Sequence, residues 1–265
     1  MKLAANLTTL FLEADFLDRF ALAAQAGFRG VEFLFPYAYP AEEIAARLDA
    51  HRLSLVLHNL PAGDWAAGER GIACHPARRA EFEEGVARAI GYALALGVKQ
   101  LNCLAGVPPP GVALEAAHDT LVTNLAWAAG RLAPHGIALL VEPVNTVDIP
   151  GFFVHGTRQA LDIIRATGSN NLFLQYDIYH MQRMEGELAA TIAANLKMIR
   201  HIQLADNPGR HEPGTGEINY RYLLRLLDDL GYDGWIGCEY KPRASTTAGL
   251  GWLAQHGAGA DPWTD

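Results

Sequence analysis

Short apolar runs alternate with longer amphipathic stretches along almost the whole chain. The short runs carry the aliphatic and aromatic residues that favour buried strands. They predict eight strands, at residues 3–9, 30–35, 53–60, 99–106, 137–143, 171–178, 200–206 and 234–240. The stretches between them have helical periodicity, and those over residues 15–27, 79–97 and 219–231 each end at a glycine, a usual helix stop.

The alternation of strands with helices predicts parallel strand pairing. Eight strand–helix units in 265 residues average about 33 residues each, close to the ~31 of a barrel of about 250 residues. We therefore predict an α/β fold, a single (β/α)8 TIM barrel over residues 1–265, with a flexible tail after about residue 255. The alternative, an open doubly wound sheet, should carry a glycine-rich loop after its first strand, and residues 6–16 contain no glycine.

Composition and charge narrow the classes of partner. Half of the residues are hydrophobic, enough for a sizeable core, and the net charge of 21 − 29 = −8 argues against a broad nucleic-acid surface. The three cysteines are far apart, which argues against a disulfide framework and for a reducing, cytoplasmic compartment. No apolar run approaches ~18 residues and no signal peptide is evident, so no membrane partner is expected. Homo-oligomerisation stays open.

Polar residues stand where several predicted strands end, and in a TIM barrel these carboxyl-terminal ends face the active site. Four of them, each about one strand–helix unit from the next, belong to strands five to eight: Glu142, Asp177, Gln203 and Glu239. Any one alone would more often be a solvated strand end, since acidic residues are mostly exposed. Bonding to loop backbone is expected for three asparagines at other strand ends: Asn6, Asn59 and Asn102. Glu32 is expected to have a structural role.

Four such side chains at one barrel mouth predict a metal site. Three carboxylates packed together would repel one another and raise their pKa values unless a cation neutralised them. With the amide oxygen of Gln203 they form an oxygen-only set, which suits Mg²⁺ or Mn²⁺ better than Zn²⁺. The predicted metal ligands are therefore Glu142, Asp177, Gln203 and Glu239.

The same residues predict a proton-transfer reaction. We expect Glu142 on strand five and Glu239 on strand eight to stand across the barrel from each other and to flank a substrate. A metal polarises a carbonyl and acidifies the neighbouring C–H, and two carboxylates could then take and return a proton. These are the requirements of aldose–ketose isomerisation or epimerisation through an enediolate, with the two glutamates as the catalytic pair.

Two loops and one histidine offer contacts to an anionic substrate. The long loop after strand three, residues 59–76, is typical of a lid, and it holds Arg70 beside Glu69, its expected charge partner. Arginine is the preferred side chain for bidentate carboxylate binding, although a surface salt bridge is its more common fate. Arg210, just after strand seven, is a second anion-binding candidate. His180, three residues beyond Asp177 and past the end of strand six, could bind a substrate oxygen or cap the next helix.

Long motifs spread over the chain resemble one enzyme family. The segments are residues 57–73, 101–106, 141–145, 148–152, 175–188, 205–220 and 234–242. They resemble the hydroxypyruvate isomerases, which belong to the xylose-isomerase-like TIM-barrel superfamily, and the similarity runs from the first strand to about residue 252. The pairing of His58 with the GDWAAGERG motif of residues 63–71 favours this family over its sibling, the isomerases of four-carbon 2-oxo acids.

The resemblance implies interconversion of hydroxypyruvate, a small anionic 2-oxo acid, with tartronate semialdehyde. It implies that Glu142 and Glu239 are catalytic and that the predicted quartet occupies metal-ligand positions. With the loop positions, it predicts substrate contacts from His58, Arg70, His180 and Arg210. Four alternatives stay open: an isomerase of four-carbon 2-oxo acids, a sugar 3-epimerase, an apurinic endonuclease and a non-catalytic binding protein. The endonuclease is disfavoured by the net acidic charge and by Asn102 and Gln203 where a histidine-rich site would be needed.

Overall fold

Eight parallel strands close into a barrel in sequence order. They are β1 Lys2–Asn6, β2 Gly30–Glu32, β3 Ser54–Asn59, β4 Gln100–Cys103, β5 Ala138–Val141, β6 Leu172–Asp177, β7 Ile199–Leu204 and β8 Trp235–Cys238. The computed structural model describes residues 1–255, and the expected tail after about residue 255 lies outside the described residues. The predicted TIM barrel is confirmed, with most strands shorter than the apolar runs that predicted them.

Helices follow the strands on the outside of the barrel. They are α1 Arg19–Gln25, α2 Ala41–His51, α3 Arg79–Leu96, α4 Leu114–Leu132, α5 Thr157–Thr167, α6 Ile178–Met184, α7 Leu188–Asn195, α8 Tyr220–Asp229, α9 Thr246–Gly249 and α10 Trp252–Gln255. Helix α5 shows why they form: its buried residues Thr157, Ala160, Ile163 and Ile164 recur at helical spacing. Over the part of the chain described, none of the helices combines the length and the apolarity needed to cross a membrane.

Strand register brings the polar strand ends to one level. Neighbouring strands place Asn6 beside Glu32, Asn59 beside Asn102, and Asp177 beside Gln203. Register partners in a sheet share a face, as do residues two apart on one strand. Leu140 pairs with Asn102, so Glu142 joins the same face two residues later. Gly237 pairs with Gln203, so Glu239 does likewise.

Every strand therefore turns one polar side chain into the mouth of the barrel. We call this set the polar ring: Asn6, Glu32, Asn59, Asn102, Glu142, Asp177, Gln203 and Glu239. All eight are buried. Buried polar groups need partners or a ligand, so the arrangement of hydrogen bonds within the ring decides what the site can do.

A small apolar cluster lies inside the barrel below the polar ring. It consists of Ala4, Val56, Leu57 and Leu140. Three of its members, Ala4, Leu57 and Leu140, stand two residues before a ring residue on the same strand face. The larger hydrophobic core lies between the strands and the surrounding helices. The ring is thus sealed from below and faces the loops at the carboxyl ends of the strands.

Candidate active site

The predicted catalytic glutamates lie in the same ring but not opposite each other. In the closed barrel β5 and β8 are separated by β6 and β7. The expectation that Glu142 and Glu239 face each other across the barrel is therefore wrong, because the strand opposite β5 in an eight-strand barrel is β1. The two glutamates instead flank Asp177 and Gln203, which gathers the four predicted ligands on one side of the mouth.

The β8 side of the ring is densely hydrogen-bonded. The Nδ2 of Asn6 donates to Oε1 of Glu32 (3.0 Å) and to Oε2 of Glu239 (2.9 Å). The Nε2 of Gln203 donates to the same two oxygens at 2.7 and 2.6 Å. An amide NH₂ has two hydrogens, so two amides bridge two carboxylates. The second oxygen of Glu32 lies 2.6 Å from Nε2 of His201 on β7.

Gly237 makes room for the carboxylate of Glu32. A Cβ atom at Gly237 would lie 2.2 Å from Oε1 and 2.4 Å from Oε2 of Glu32. Real Cβ atoms do not approach oxygens this closely, so any larger residue at Gly237 would displace Glu32 and the amides that it anchors. The structural role expected for Glu32 is thus to hold Asn6 and Gln203 in position.

The β5 side of the ring is sparsely hydrogen-bonded. Oε2 of Glu142 accepts from Nδ2 of Asn102 at 2.8 Å, and Oε1 lies 3.9 Å from Nε2 of His180. The Oδ1 of Asn102 and the Nδ2 of Asn59 are buried and have no hydrogen-bond partner among the described residues. A bound molecule with hydroxyl or carbonyl groups would satisfy both.

His180 is held as a hydrogen-bond donor. Oδ1 of Asn145 accepts from the backbone N–H groups of Val147 and Asp148, which fixes the orientation of its amide. Its Nδ2 then faces Nδ1 of His180 at 2.6 Å, so this ring nitrogen accepts. Burial and the charge of Arg210 hold the pKa of His180 well below its ordinary value, so the ring is neutral and carries its proton on Nε2. That N–H points toward Oδ2 of Asp177, 3.4 Å away.

Arg210 is the cation of the polar ring. Its Nη2 donates to Oε1 of Glu239 at 2.6 Å and to Oδ2 of Asp177 at 3.2 Å. The guanidinium also lies over the ring of Tyr179, 5.1 Å from its centroid. Burial alone would lower the pKa of Arg210, but the neighbouring carboxylates outweigh it and the pKa is raised. The structure thus brings this predicted anion-binding residue directly onto the predicted metal ligands.

The carboxyl groups of the site have raised pKa values. Burial, followed by the charges of Glu239 and Asp177, holds the pKa of Glu142 well above its ordinary range. Burial raises the pKa of Glu239 to about 7, with Arg210 opposing the shift. Burial also raises the pKa of Asp177, again against Arg210. A carboxyl group with a pKa of about 7, as at Glu239, exchanges protons near neutral pH, as acid–base catalysis requires.

The donor set fits a divalent cation. Carboxylate oxygens of Glu142 and Asp177 lie within 4.8 Å of each other, and Glu239 shares Arg210 with Asp177. One guanidinium leaves the three carboxylates undercompensated, and a second cation would lower their raised pKa values. Gln203 directs its NH₂ at the carboxylates and its Oε1 at Nε2 of Gln175 (2.7 Å), so its amide would have to turn over to offer oxygen to an ion.

His58 does not join the polar ring. It pairs with Leu101, whose side chain belongs to the outer core, so it points away from its neighbour Asn59. Its ring packs edge-on against Tyr37 with centroids 5.9 Å apart, and its Nδ1 lies 3.1 Å from the carbonyl oxygen of Asn59. Burial lowers the pKa of His58 to about 4. This geometry does not support the predicted substrate contact.

Arg70 is turned into its own loop. Its Nη1 donates to the carbonyl oxygens of Trp65 (3.2 Å) and Glu69 (2.7 Å), and its guanidinium stacks 4.1 Å from the centroid of the Trp65 ring. The carboxylate of Glu69 pairs with Arg78, so the expected Glu69–Arg70 charge pair is wrong. Arg70 remains a predicted substrate contact, but its charge is not directed at the carboxylates of the ring.

The loops that carry the two arginines are anchored differently. In the β3–α3 loop, Gly71 (φ 119°) lies so close to the β4–α4 loop that a Cβ would sit 2.4 Å from the carbonyl oxygen of Leu104. In the β7–α8 loop, one buried carboxylate, Asp206, accepts four backbone N–H groups, from Asn207, Gly214, Gly216 and Ile218, at 2.8–3.1 Å. Arg210 sits within this loop with φ 56°, and its carbonyl oxygen accepts from Lys241 N.

Sequence reasoning missed five residues of the site: Asn6, Glu32, Asn59, Asn102 and Asn145. The first four were read as loop or structural residues. The apolar runs continue past Asn6 and Glu32, which hid the observed strand ends, whereas Asn59 and Asn102 carried the same strand-end signal as Glu142 and Asp177. Asn145 lies four residues after β5 in a loop, and no periodicity marks a residue that acts by orienting the ring of His180.

Curated relatives match almost the whole chain. It is 58% identical over 253 residues to hydroxypyruvate isomerase of Escherichia coli, covering 96% of this chain and 98% of that protein. It is 48% identical to 2-oxo-tetronate isomerase of Cupriavidus necator, covering 95% of this chain and 97% of that protein. The expectation of an isomerase is confirmed by these similarities.

Solved structures agree on the fold. A crystal structure from Brucella melitensis, described as an AP endonuclease of family 2, is 47% identical with a TM-score of 0.94, covering 96% of this chain and 98% of that chain. A D-allulose 3-epimerase from Methylomonas sp. is 23% identical with a TM-score of 0.72, covering 89% and 83%, and shows the fold alone. Residues 20–256 match the family described as xylose isomerase-like TIM barrel. The chain belongs to the xylose isomerase-like TIM barrel family.

Proposed function

We propose that this enzyme interconverts hydroxypyruvate and tartronate semialdehyde by proton transfer through an enediolate. The observation that carries the proposal is the unequal pair of buried glutamates in one polar ring. Glu239 accepts three N–H donors, whereas Glu142 accepts one within hydrogen-bond distance. The high identity to the Escherichia coli hydroxypyruvate isomerase supports the choice of substrate.

The reaction moves one carbon-bound proton between neighbouring carbons. Hydroxypyruvate carries a hydroxymethyl group at C3 and a carbonyl at C2. Loss of a C3 proton gives the enediolate, and delivery of a proton to C2 gives tartronate semialdehyde, while one oxygen-bound proton passes from the C3 hydroxyl to the former C2 carbonyl oxygen. No electrons leave the substrate, so no redox partner is needed.

The two glutamates divide this work in the proposed mechanism. Three donors favour the carboxylate form of Glu239, which suits it to take the proton from C3. Glu142 has only one such donor, and burial raises its pKa well above the ordinary range, which suits it to carry the proton that is delivered to C2. The Nε2–H of His180 would donate to a substrate oxygen. The unpartnered amide atoms of Asn59 and Asn102 would bind the remaining substrate oxygens.

A divalent ion, Mg²⁺ or Mn²⁺, is part of the proposal. Glu142, Asp177 and Glu239, with Gln203 after rotation of its amide, would hold it. Such an ion polarises the substrate carbonyl and makes the neighbouring C–H more acidic. A cytoplasmic location is also proposed, because all three cysteines are free and buried.

A four-carbon 2-oxo acid is the second candidate substrate. The 48% identity to the 2-oxo-tetronate isomerase of Cupriavidus necator favours it, since that relative also matches nearly the whole chain. The two reactions share the enediolate chemistry, and their substrates differ by one carbon.

The test is proton NMR of the purified enzyme in D₂O with hydroxypyruvate and, separately, with 2-oxo-tetronate. The expected result is formation of tartronate semialdehyde with deuterium incorporated from solvent, and kcat/KM for hydroxypyruvate above that for the four-carbon acid. The same spectra after EDTA, and after adding back Mg²⁺ or Mn²⁺, measure the contribution of the ion. Absence of both product and deuterium exchange would reject the hydroxypyruvate assignment, and preference for the four-carbon acid would select the second candidate.

A further inference from the structure

We propose that Arg210 is a built-in counter-cation that competes with a divalent metal for Asp177 and Glu239. Metal binding then releases its guanidinium from the carboxylates and makes it available to the carboxylate of the substrate. This inference rests on the proposed metal site. It goes further by assigning one residue two alternating positions and by predicting that this residue weakens metal binding.

Asp177 and Glu239 each have one carboxylate oxygen that is not used by other hydrogen bonds of the fold. Asp177 has one oxygen committed to helix α6, because its Oδ1 accepts from Tyr179 N at 2.8 Å. Glu239 has one oxygen committed to the polar ring, because its Oε2 accepts from Asn6 and Gln203. Each side chain therefore has one remaining oxygen for a cation: Oδ2 of Asp177 and Oε1 of Glu239.

Both remaining oxygens are bonded to the same nitrogen. Nη2 of Arg210 lies 3.2 Å from Oδ2 of Asp177 and 2.6 Å from Oε1 of Glu239. Asp177 and Glu239 would hold a divalent ion through these same two oxygens. The nitrogen already bonds both of them, and its positive charge repels a second cation. The ion and the guanidinium therefore cannot hold these two oxygens at the same time.

The Arg210 side chain is incompletely hydrogen-bonded in its present position. Its Nε is buried and has no hydrogen-bond partner in the described part of the protein, so the present position leaves one donor unsatisfied. The backbone is held independently, since Lys241 N donates to the Arg210 carbonyl oxygen at 2.7 Å. The side chain is also 19% exposed, so part of it already reaches solvent. The side chain can therefore move without moving the loop.

Arg183 offers a matched control. Its guanidinium lies 5.5 Å from the centroid of the same Tyr179 ring that Arg210 covers at 5.1 Å. Its ion pair, however, is with Asp148 at 2.8 Å, not with the carboxylates of the polar ring. Arg183→Met therefore removes an equal charge from the same neighbourhood and leaves the two contested oxygens untouched.

The experiment measures Mn²⁺ binding to wild type, Arg210→Met, Arg210→Lys and Arg183→Met by the electron paramagnetic resonance signal of free Mn²⁺ and by calorimetry. Arg210→Met is expected to bind Mn²⁺ at least about tenfold more tightly than wild type, because a repelling charge within bonding distance is removed. Arg210→Lys should lie between the two, and Arg183→Met should stay within about threefold of wild type. Circular dichroism and melting curves check that each variant is folded.

Equal or weaker Mn²⁺ binding by folded Arg210→Met would overturn the inference while leaving the metal site in place. If neither wild type nor Arg210→Met binds Mn²⁺, the metal site and this inference both fail. Turnover of hydroxypyruvate by the metal-free enzyme, measured separately, would then still support the proposed isomerisation. If Arg183→Met bound Mn²⁺ as tightly as Arg210→Met does, the effect would come from general electrostatics. That result would also reject the proposed competition.

Discussion

The two sides of the polar ring carry the same residue type in opposite surroundings. On the β8 side, Glu239 is tied through two amides to Glu32 and through one nitrogen to Arg210. On the β5 side, Glu142 has one amide donor, from Asn102, and a histidine 3.9 Å away. In the proposed mechanism, the number of donors and not the residue type distinguishes the base, Glu239, from Glu142, which delivers the proton.

The largest expected effects come from replacing each glutamate in turn. Glu142→Gln and Glu239→Gln should each lower kcat by about 10³-fold, within the ~10²–10⁴ range of general acid–base catalysis. The two variants should differ in deuterium exchange. Glu142→Gln should still exchange the C3 proton of hydroxypyruvate in D₂O without forming product, whereas Glu239→Gln should lose both. Proton NMR distinguishes them, and the reverse pattern would exchange the assigned roles.

The two sides of the ring should also differ, by a smaller effect, in their contribution to the free energy of unfolding. Glu32→Gln replaces a buried acceptor of Asn6, Gln203 and His201 with a side chain that presents its own N–H groups, and should lower the free energy of unfolding by about 3 kcal/mol. Asn102→Ala removes one hydrogen bond from Glu142 and should cost about 1 kcal/mol. Urea denaturation measures both. Equal losses would show that the β8 side is no more tightly coupled than the β5 side.

His58 lies outside the polar ring, so its contribution to the pH dependence of the free energy of unfolding can be measured separately from that of the ring. Its folded pKa of about 4 lies below the ordinary 6.5, so the unfolded chain binds more protons between these values and stability falls as pH falls from about 6.5 to 4. The loss should reach about 3 kcal/mol over this window. His58→Gln should remove this component when unfolding is compared at pH 7 and pH 5. An unchanged pH dependence in the variant would contradict the burial-driven shift.

The smallest expected effect distinguishes the two arginines in substrate binding. Arg210→Met should raise KM for hydroxypyruvate by about tenfold or more, since a charge-assisted contact is lost. Arg70→Met should raise KM by less than about threefold, because its guanidinium faces Trp65 and the carbonyl oxygens of its own loop. Steady-state kinetics on both variants gives the comparison. A larger effect at Arg70 would indicate that its loop rearranges when substrate binds.

Much of the fold and half of the ring could be predicted from the sequence. Apolar runs of strand length recur between helical patterns, and a polar residue at the end of each later strand marks Glu142, Asp177, Gln203 and Glu239. The β2 run was predicted over residues 30–35, but β2 ends at Glu32. This early end hid the fact that Glu32 is itself a strand end and therefore a ring member.

The direction in which each side chain points was harder to predict from the sequence than the position of the strands. Val31 pairs with Leu55, but the register of β2 against β3 then shifts, so Glu32 pairs with Leu57 and not with Val56. A one-residue shift exchanges the inward and outward faces of a strand, and here it places Asn59 in the ring and His58 outside it. Nothing in the apolar pattern of residues 53–60 marks this shift.

The carboxylate of Asp206 has a consequence for which substrates the barrel can accept. TIM barrels that act on phosphate esters commonly hold the phosphate with backbone N–H groups of the loops after strands seven and eight. In this chain four N–H groups of the β7–α8 loop already end on Asp206. A phosphorylated sugar would meet a buried negative charge where it needs donors. We therefore expect this loop to disfavour phosphorylated substrates, and an enzyme engineered to use phosphate esters would have to begin by removing this one side chain.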